Sequence, residues 1–267
     1  ATGMMSLAEW CSGVFSAVLA AALLAPIGLA GILFVDIATF VIAILALLWI
    51  EVPQPTVSAE GKAARGNLWQ ESLYGFKFII QRPSMLGLQL VFFFGNFFST
   101  ISGTLTSPMI LSRTDNNALL LGSVQSVGSF GGILGSLLIT AWGGPKKKVV
   151  GVVAGWALSG LLSYAIMGFA REGVLWMVGS FFGAFFGPII NSSNQAIWMS
   201  KVAPDVQGRV FSVRRLIAQI TAPLAMLIAG PLADNLFEPA MVSNQSTLGA
   251  PLGWITGTGP GTGMSII

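Results

Sequence analysis

The chain of 267 residues has no histidine, a single cysteine and only 9% charged side chains. Without histidine there is no Ser-His-Asp triad, no Cys-His pair and no histidine-rich metal site. Cys11 alone allows no intrachain disulfide. A charged fraction so far below the roughly 25% of soluble proteins leaves too little polar surface to cover a water-soluble core. Lysine is also missing from the glycine-rich run Gly257–Gly263, so this run lacks the ammonium that a phosphate-binding loop uses. No metal, other cofactor or ATP use is expected. The net charge of +3 and the pI near 9.3 do not signal nucleic acid. The basic residues sit in segments between apolar runs, where anionic lipid is the partner that suits them.

What the chain has instead is apolar length: 54% hydrophobic residues and a mean hydropathy of +0.80. Seven apolar stretches occupy 3–24, 31–50, 85–108, 119–142, 149–169, 174–198 and 210–236. At 1.5 Å per residue each is long enough to cross about 30 Å of hydrocarbon. The 13 basic residues alternate between few and many along the intervening segments. None lies in 25–30, four in 51–84, one (Arg113) in 109–118, three (Lys146, Lys147, Lys148) in 143–148, one (Arg171) in 170–173 and four in 199–215. Eleven of the 13 thus share one side, which the positive-inside rule makes cytoplasmic. The fold class expected is all-α, integral to the membrane and multi-pass.

Short links at 25–30, 143–148 and 170–173 make neighbouring spans antiparallel hairpins. The long connection 51–84 opens with Val52-Pro53-Gln54-Pro55 and reads as a linker between two bundles. Within it Trp69, Leu73, Phe76 and Ile80 recur at helical spacing. They predict a short amphipathic helix on the inner membrane surface, ended by Pro83; the alternative is a helix that binds a partner. Gly128/Gly132, Gly131/Gly135 and Gly179/Gly183/Gly187 are spaced for close helix packing. Pro108, Pro188, Pro223 and Pro231 interrupt spans, as in helices that kink or line cavities. The chain opens without methionine and stops at Met264-Ser265-Ile266-Ile267, where a new apolar run begins, and a fragment is expected. Residues 1–10 lack the basic leader of a signal peptide.

Polar groups inside spans are costly and mark function or packing. Glu9, Asp36 and Asp234 are the carboxylates so placed; Glu9 and Asp36 are the candidates for proton coupling, and capping of helix ends in the headgroup region is the alternative for Asp36 and Asp234. Asn191-Ser192-Ser193-Asn194-Gln195 wraps more than a helical turn, so some of these side chains must turn away from lipid. With Gln89, Asn96, Ser99, Thr100, Ser102 and Gln125 they suggest a wet interior. Asn96, Gln125, Asn191, Asn194 and Gln195 are the candidates for solute contact, with Phe93, Phe97, Phe181 and Phe185 lining the cavity. Helix-to-helix hydrogen bonding is the alternative for each. Arg214 and Arg215 open the last span, either as lipid anchors or as a charge pair at the inner mouth.

Several motifs in order carry a resemblance. Gly3-Met4-Met5-Ser6-Leu7, Gly28-Leu29-Ala30-Gly31-Ile32-Leu33 with Asp36-Ile37-Ala38-Thr39-Phe40, and Val52-Pro53-Gln54-Pro55 lead the chain. Val202-Ala203-Pro204-Asp205-Val206-Gln207-Gly208-Arg209-Val210-Phe211-Ser212, Gly230-Pro231-Leu232-Ala233-Asp234 and Gly257-Thr258-Gly259-Pro260-Gly261 follow. Together they resemble the major facilitator superfamily, in its bacterial branch of macrolide-efflux and enterobactin-exporter-like carriers. The resemblance implies a twelve-helix carrier of two six-helix halves working by alternating access, with the solute site between the halves. Residues 1–50 would be the last two helices of the N-terminal half. Residues 51–84 would be the cytoplasmic linker, and 85–267 the C-terminal half without most of its last helix. Two departures stand out: Gly13–Ala22 has no Gly-Pro antiporter pair, and the loop 143–148 has no Asp.

The reading that results is a secondary transporter of the bacterial inner membrane. It would export an amphipathic small solute (drug, macrolide or siderophore-like) against protons, with membrane lipid as its other partner. A solute importer, a non-transporting sensor or interaction protein with a carrier-like fold, and a membrane-embedded lipid enzyme are the rivals. The last would need a cluster of His, Asp or Cys at one interface.

Overall fold

The structure is a computed structural model that describes residues 2–50, 58, 67–242 and 259–267, with the side chains of 2–11, 13–18, 20, 21, 25, 68–72 and 242 left out. The side chains of Glu9 and Trp69 and most of the linker therefore lie outside the described residues. Every regular element among the described residues is a helix.

The first helix, α1, runs Thr2–Trp49 and is broken at one residue, Gly28, with φ 62° and ψ −177°. Backbone of that kind is open essentially to glycine alone. The six-residue link expected at 25–30 is thus corrected to a single-residue break. Pro26 stays inside the helix, and Gly28 supplies the change of direction without a loop. The arm Pro26–Trp49 has the highest hydropathy of the described spans, and none of it is buried. Phe34, Leu48 and Trp49 stand on its surface.

Helix α2, Leu68–Ile80, is the amphipathic segment. Its docking face overlaps the line read from spacing at Phe76, which packs partly buried on that face, and departs from it elsewhere. Phe78 and Ile79 are the buried residues, in one cluster with Val206, Val210 and Val213, while Leu73 and Ile80 are exposed. Gly75 lies so close to the next element that an added Cβ would be 2.6 Å from the Arg209 carbonyl oxygen. The helix is therefore held against its own chain, with part of its apolar surface turned outward. It stops at Ile80, three residues before Pro83, which opens helix α3, Pro83–Arg113, in the first turn, where a missing N–H costs no helical bond.

Helices α4 (Ala118–Trp142), α5 (Lys148–Phe169), α6 (Gly173–Lys201) and α7 (from Gln207) complete the bundle. α4 and α6 run in the same direction and meet along glycines. A Cβ on Gly128 would overlap the Ser180 hydroxyl, one on Gly131 the Phe181 carbonyl oxygen, and one on Gly135 the Phe185 carbonyl oxygen. Lipid supplies no hydrophobic force between helices, so backbone approach of this kind is what binds them. α5 crosses α6 by the same device, with Gly151 on Ser193 and Gly155 on Ile190. α3 and α7 instead interleave Ile101 and Leu105 with Ala225, Ala229 and Ala233.

Two π-helical turns interrupt these spans, Gly160–Tyr164 in α5 and Ala233–Phe237 in α7, after which α7 continues as Glu238–Val242. A last short helix, α8 (Thr262–Ile266), packs against α3, α5 and the end of α7.

The linker is tied down at Ser58. Its amide N–H donates to Asp205 Oδ2 at 2.7 Å and its hydroxyl to Oδ1 at 2.8 Å. The amide bond is the main reason that the Asp205 carboxyl titrates below the usual carboxylate range. A depressed folded pKa means that the tether's contribution is fully present above the unfolded value of about 3.9. It is lost only as pH falls through the lower folded value. Trypsin should therefore cut the linker at Lys62 and Arg65 several-fold faster in Asp205→Ala than in the wild type, with the same ratio at pH 6 and at pH 8. Equal cleavage of the two proteins would contradict the tether.

Candidate functional site

Two polar regions occur within the bundle. The first lies toward the end of the helices that carries Arg113 and Arg171. Ser99, Ser102 and Thr106 of α3, Gln125 of α4, Ser163 and Tyr164 of α5 and Ser180 of α6 surround a cavity of about 320 Å³. A second cavity of about 610 Å³ adjoins it, sharing Ser99, Ser102, Thr106 and Tyr164 and adding Phe98, Trp156, Phe169 and Ile267. Tyr164 stands between the two, its hydroxyl 2.8 Å from Ser99 Oγ. The π-turn is what places it there. One extra residue in the turn shifts the register of α5, so that Ser163 reaches Gly183 of α6 while Tyr164 reaches α3. Gly95 leaves room for the Trp156 indole, which an added Cβ would meet at 2.6 Å. Among the described residues the lining side chains are hydroxyls, one amide, aromatic faces and aliphatic groups, with no Asp, Glu, Lys or Arg. Such a surface hydrogen-bonds uncharged oxygens and packs on apolar surface.

The second region lies toward the opposite, lysine-bearing end. Arg214 of α7 donates from Nη1 to Gln195 Oε1 of α6 at 2.7 Å. Its guanidinium carbon is 5.4 Å from the centre of the Trp198 ring and 5.8 Å from that of Phe211. The Gln89 amide of α3 donates to the Arg214 carbonyl at 3.4 Å, so three helices converge on this residue. Ser180 and Gln195 are separated by 15 residues of α6, which puts the two regions about 22 Å apart along the helix.

The structure divides the residues singled out in the sequence. Gln125 lines the smaller cavity, and Gln195 holds Arg214. Asn194 is 2% exposed, with its Oδ1 unpartnered among the described residues, whereas Asn191 is exposed. Asn96 is half-buried on α3 and lines neither cavity. The four phenylalanines expected as lining are elsewhere: Phe181 and Phe185 stack at 5.7 Å along the α4–α6 seam, and Phe97 packs with the α3–α7 cluster. Phe93 meets Phe94 edge-on. Asp36 is exposed on the outer arm of α1. Arg215 is exposed beside Phe211, Ser212 and Leu216, so the two neighbouring arginines point to different surroundings. Tyr164 was not anticipated; its only trace in the sequence is a lone phenol within an apolar run.

Six described helices are long and apolar enough to cross a membrane. With large apolar side chains outward and glycines at the contacts, they define a multi-pass integral membrane protein. Residues 1–241 match the family model described as Major Facilitator Superfamily, and the chain belongs to that family of secondary transporters for small solutes. Comparison with curated proteins and with solved structures gives no match.

Proposed function

We propose that the protein is a proton-coupled exporter of amphipathic small solutes that works by alternating access in the bacterial inner membrane. The paired cavities around Tyr164 carry this reading, because hydroxyls and one amide on one wall and aromatic rings on the other match a solute with both ether or hydroxyl oxygens and apolar bulk. Macrolide-like compounds have this chemistry. Residues 1–50 would then be the last two helices of the first half of a twelve-helix carrier, 51–84 the cytoplasmic linker and 85–267 the second half. Glu9 and Asp36 are proposed to carry protons, and Gln125 and Tyr164 to touch solute.

The test is flux of a labelled macrolide by the whole carrier in proteoliposomes under an imposed pH gradient. Acidifying the trans side should accelerate movement. Tyr164→Phe, which removes one hydrogen bond worth about 1 kcal/mol, should raise KM roughly fivefold with little change in the maximal rate. Flux independent of pH would remove the coupling. No flux of any amphipathic compound would remove the carrier reading.

A further inference from the structure

The geometry points to an oxyanion site at Arg214, where a carboxylate or phosphate carried by the transported solute pairs with the guanidinium between Gln195 and Trp198. This inference rests on the carrier reading and adds a charge requirement to it. Arg214 lies seven residues into α7, about 10 Å from the helix start, in a span where an uncompensated cation is costly. No carboxylate among the described residues pairs with it, and the charge that acts on it is the like charge of Arg215. Among the described residues its one side-chain hydrogen bond goes to a neutral amide oxygen.

The groups left over around it are donors. The indole N–H of Trp198 is buried without an acceptor among the described residues, and that residue is 0% exposed. The Gln195 amide uses its oxygen on Arg214, which leaves its NH₂ free to donate. Guanidinium, indole N–H and amide NH₂ together ask for an acceptor that bears negative charge, and a guanidinium suits a planar or tetrahedral oxyanion because its N–H fork can engage two oxygens. The Trp198 and Phe211 rings lie 5.4 and 5.8 Å from the guanidinium carbon, so the charge sits beside apolar faces. Arg215, exposed on the adjacent face, is free to meet lipid headgroups, so anchoring does not require Arg214.

The experiment measures binding of 2-naphthoate, 2-naphthyl phosphate and the uncharged 2-naphthamide to the whole carrier. Nanodiscs of phosphatidylcholine, alone or enriched in phosphatidylglycerol, are compared. Binding of either anion at least tenfold tighter than the amide is expected in both lipids. Arg214→Gln should remove the difference, Arg214→Lys should keep part of it, and Lys201→Gln at the same membrane end should leave it intact. Equal binding of all three probes by the wild type overturns the inference without reference to any variant. Anion binding that disappears in phosphatidylglycerol assigns Arg214 to lipid headgroups and overturns the solute assignment. Flux of uncharged amphipaths with no anion preference removes this site and leaves the carrier reading standing. Anion binding without any flux does the reverse.

Discussion

Gly135→Leu is expected to loosen α4 from α6 and to lower the melting temperature of the bundle sharply, while Gly187→Leu melts as the wild type does. Both glycines lie in membrane-spanning helices and both belong to small-residue runs, so composition alone treats them alike. The structure does not. A Cβ at Gly135 overlaps the Phe185 carbonyl oxygen, whereas one at Gly187 meets nothing within 4 Å. Ordinary overpacking of a core costs about 1–3 kcal/mol because side chains can turn aside. Here the obstacle is backbone, and the same contact recurs one turn away where Gly131 meets Phe181. The cost should lie at or above the upper end of that range, with the double variant Gly131→Leu/Gly135→Leu failing to accumulate as folded protein. Thermal melting in detergent, followed by size-exclusion fluorescence, measures it. Indistinguishable melting of Gly135→Leu and wild type would show that the seam is not held by backbone approach.

The second large effect is expected at Glu238. Its carboxylate accepts the Gly261 amide on Oε1 and the Gly263 amide, at 2.8 Å, on Oε2. These are N–H groups at the start of α8, which a helix cannot satisfy from within. The described end of the glycine-rich run thus holds a carboxylate of the same chain on two of its amides. Gly261, Thr262 and Gly263 are buried, and Gly263 allows no side chain, since a Cβ would be 2.5 Å from the Phe237 carbonyl carbon. The π-turn Ala233–Phe237 leads directly into Glu238. Glu238→Ala leaves two buried donors without an acceptor, at about 1–3 kcal/mol each. Amide exchange across 262–266 should accelerate by roughly 30-fold or more, following the conversion of about 1.4 kcal/mol per factor of ten. Glu238→Gln keeps one acceptor oxygen and should fall between. Exchange that does not change in Glu238→Ala would detach this carboxylate from the docking of α8.

The spans were legible because a bilayer makes hydrophobic length nearly sufficient evidence. Six of the helices begin within three residues of their expected starts, and α4 ends at the expected residue, Trp142. What escaped has physical causes. The break at Gly28 is one residue long because a glycine there needs no loop, while an apolar-run reading can only place a gap. Phe78 and Ile79, rather than Leu73 and Ile80, face the protein because lipid and core accept the same side chains, so apolar spacing cannot tell one from the other. The π-turn that delivers Tyr164 spans Gly160-Leu161-Leu162-Ser163-Tyr164, and an apolar-run reading assigns that segment the same helix as its neighbours. Of the adjacent pair Arg214 and Arg215, a helix necessarily turns one about 100° from the other. Which one faces inward depends on Gln195 and Trp198, far back in the chain. The glycine pairs were visible as packing signals, but their partners Ser180, Phe181 and Phe185 were not.

The chain is expected to cross a bilayer repeatedly with its lysine-bearing turns on the inner side. Single cysteines placed at Lys147 and at Glu172, both exposed at opposite ends of α5 and its loops, test it in a Cys11→Ser background. A membrane-impermeant maleimide should label Glu172→Cys in right-side-out vesicles and Lys147→Cys only in inverted ones. Labelling of both positions from the same face would contradict the threading.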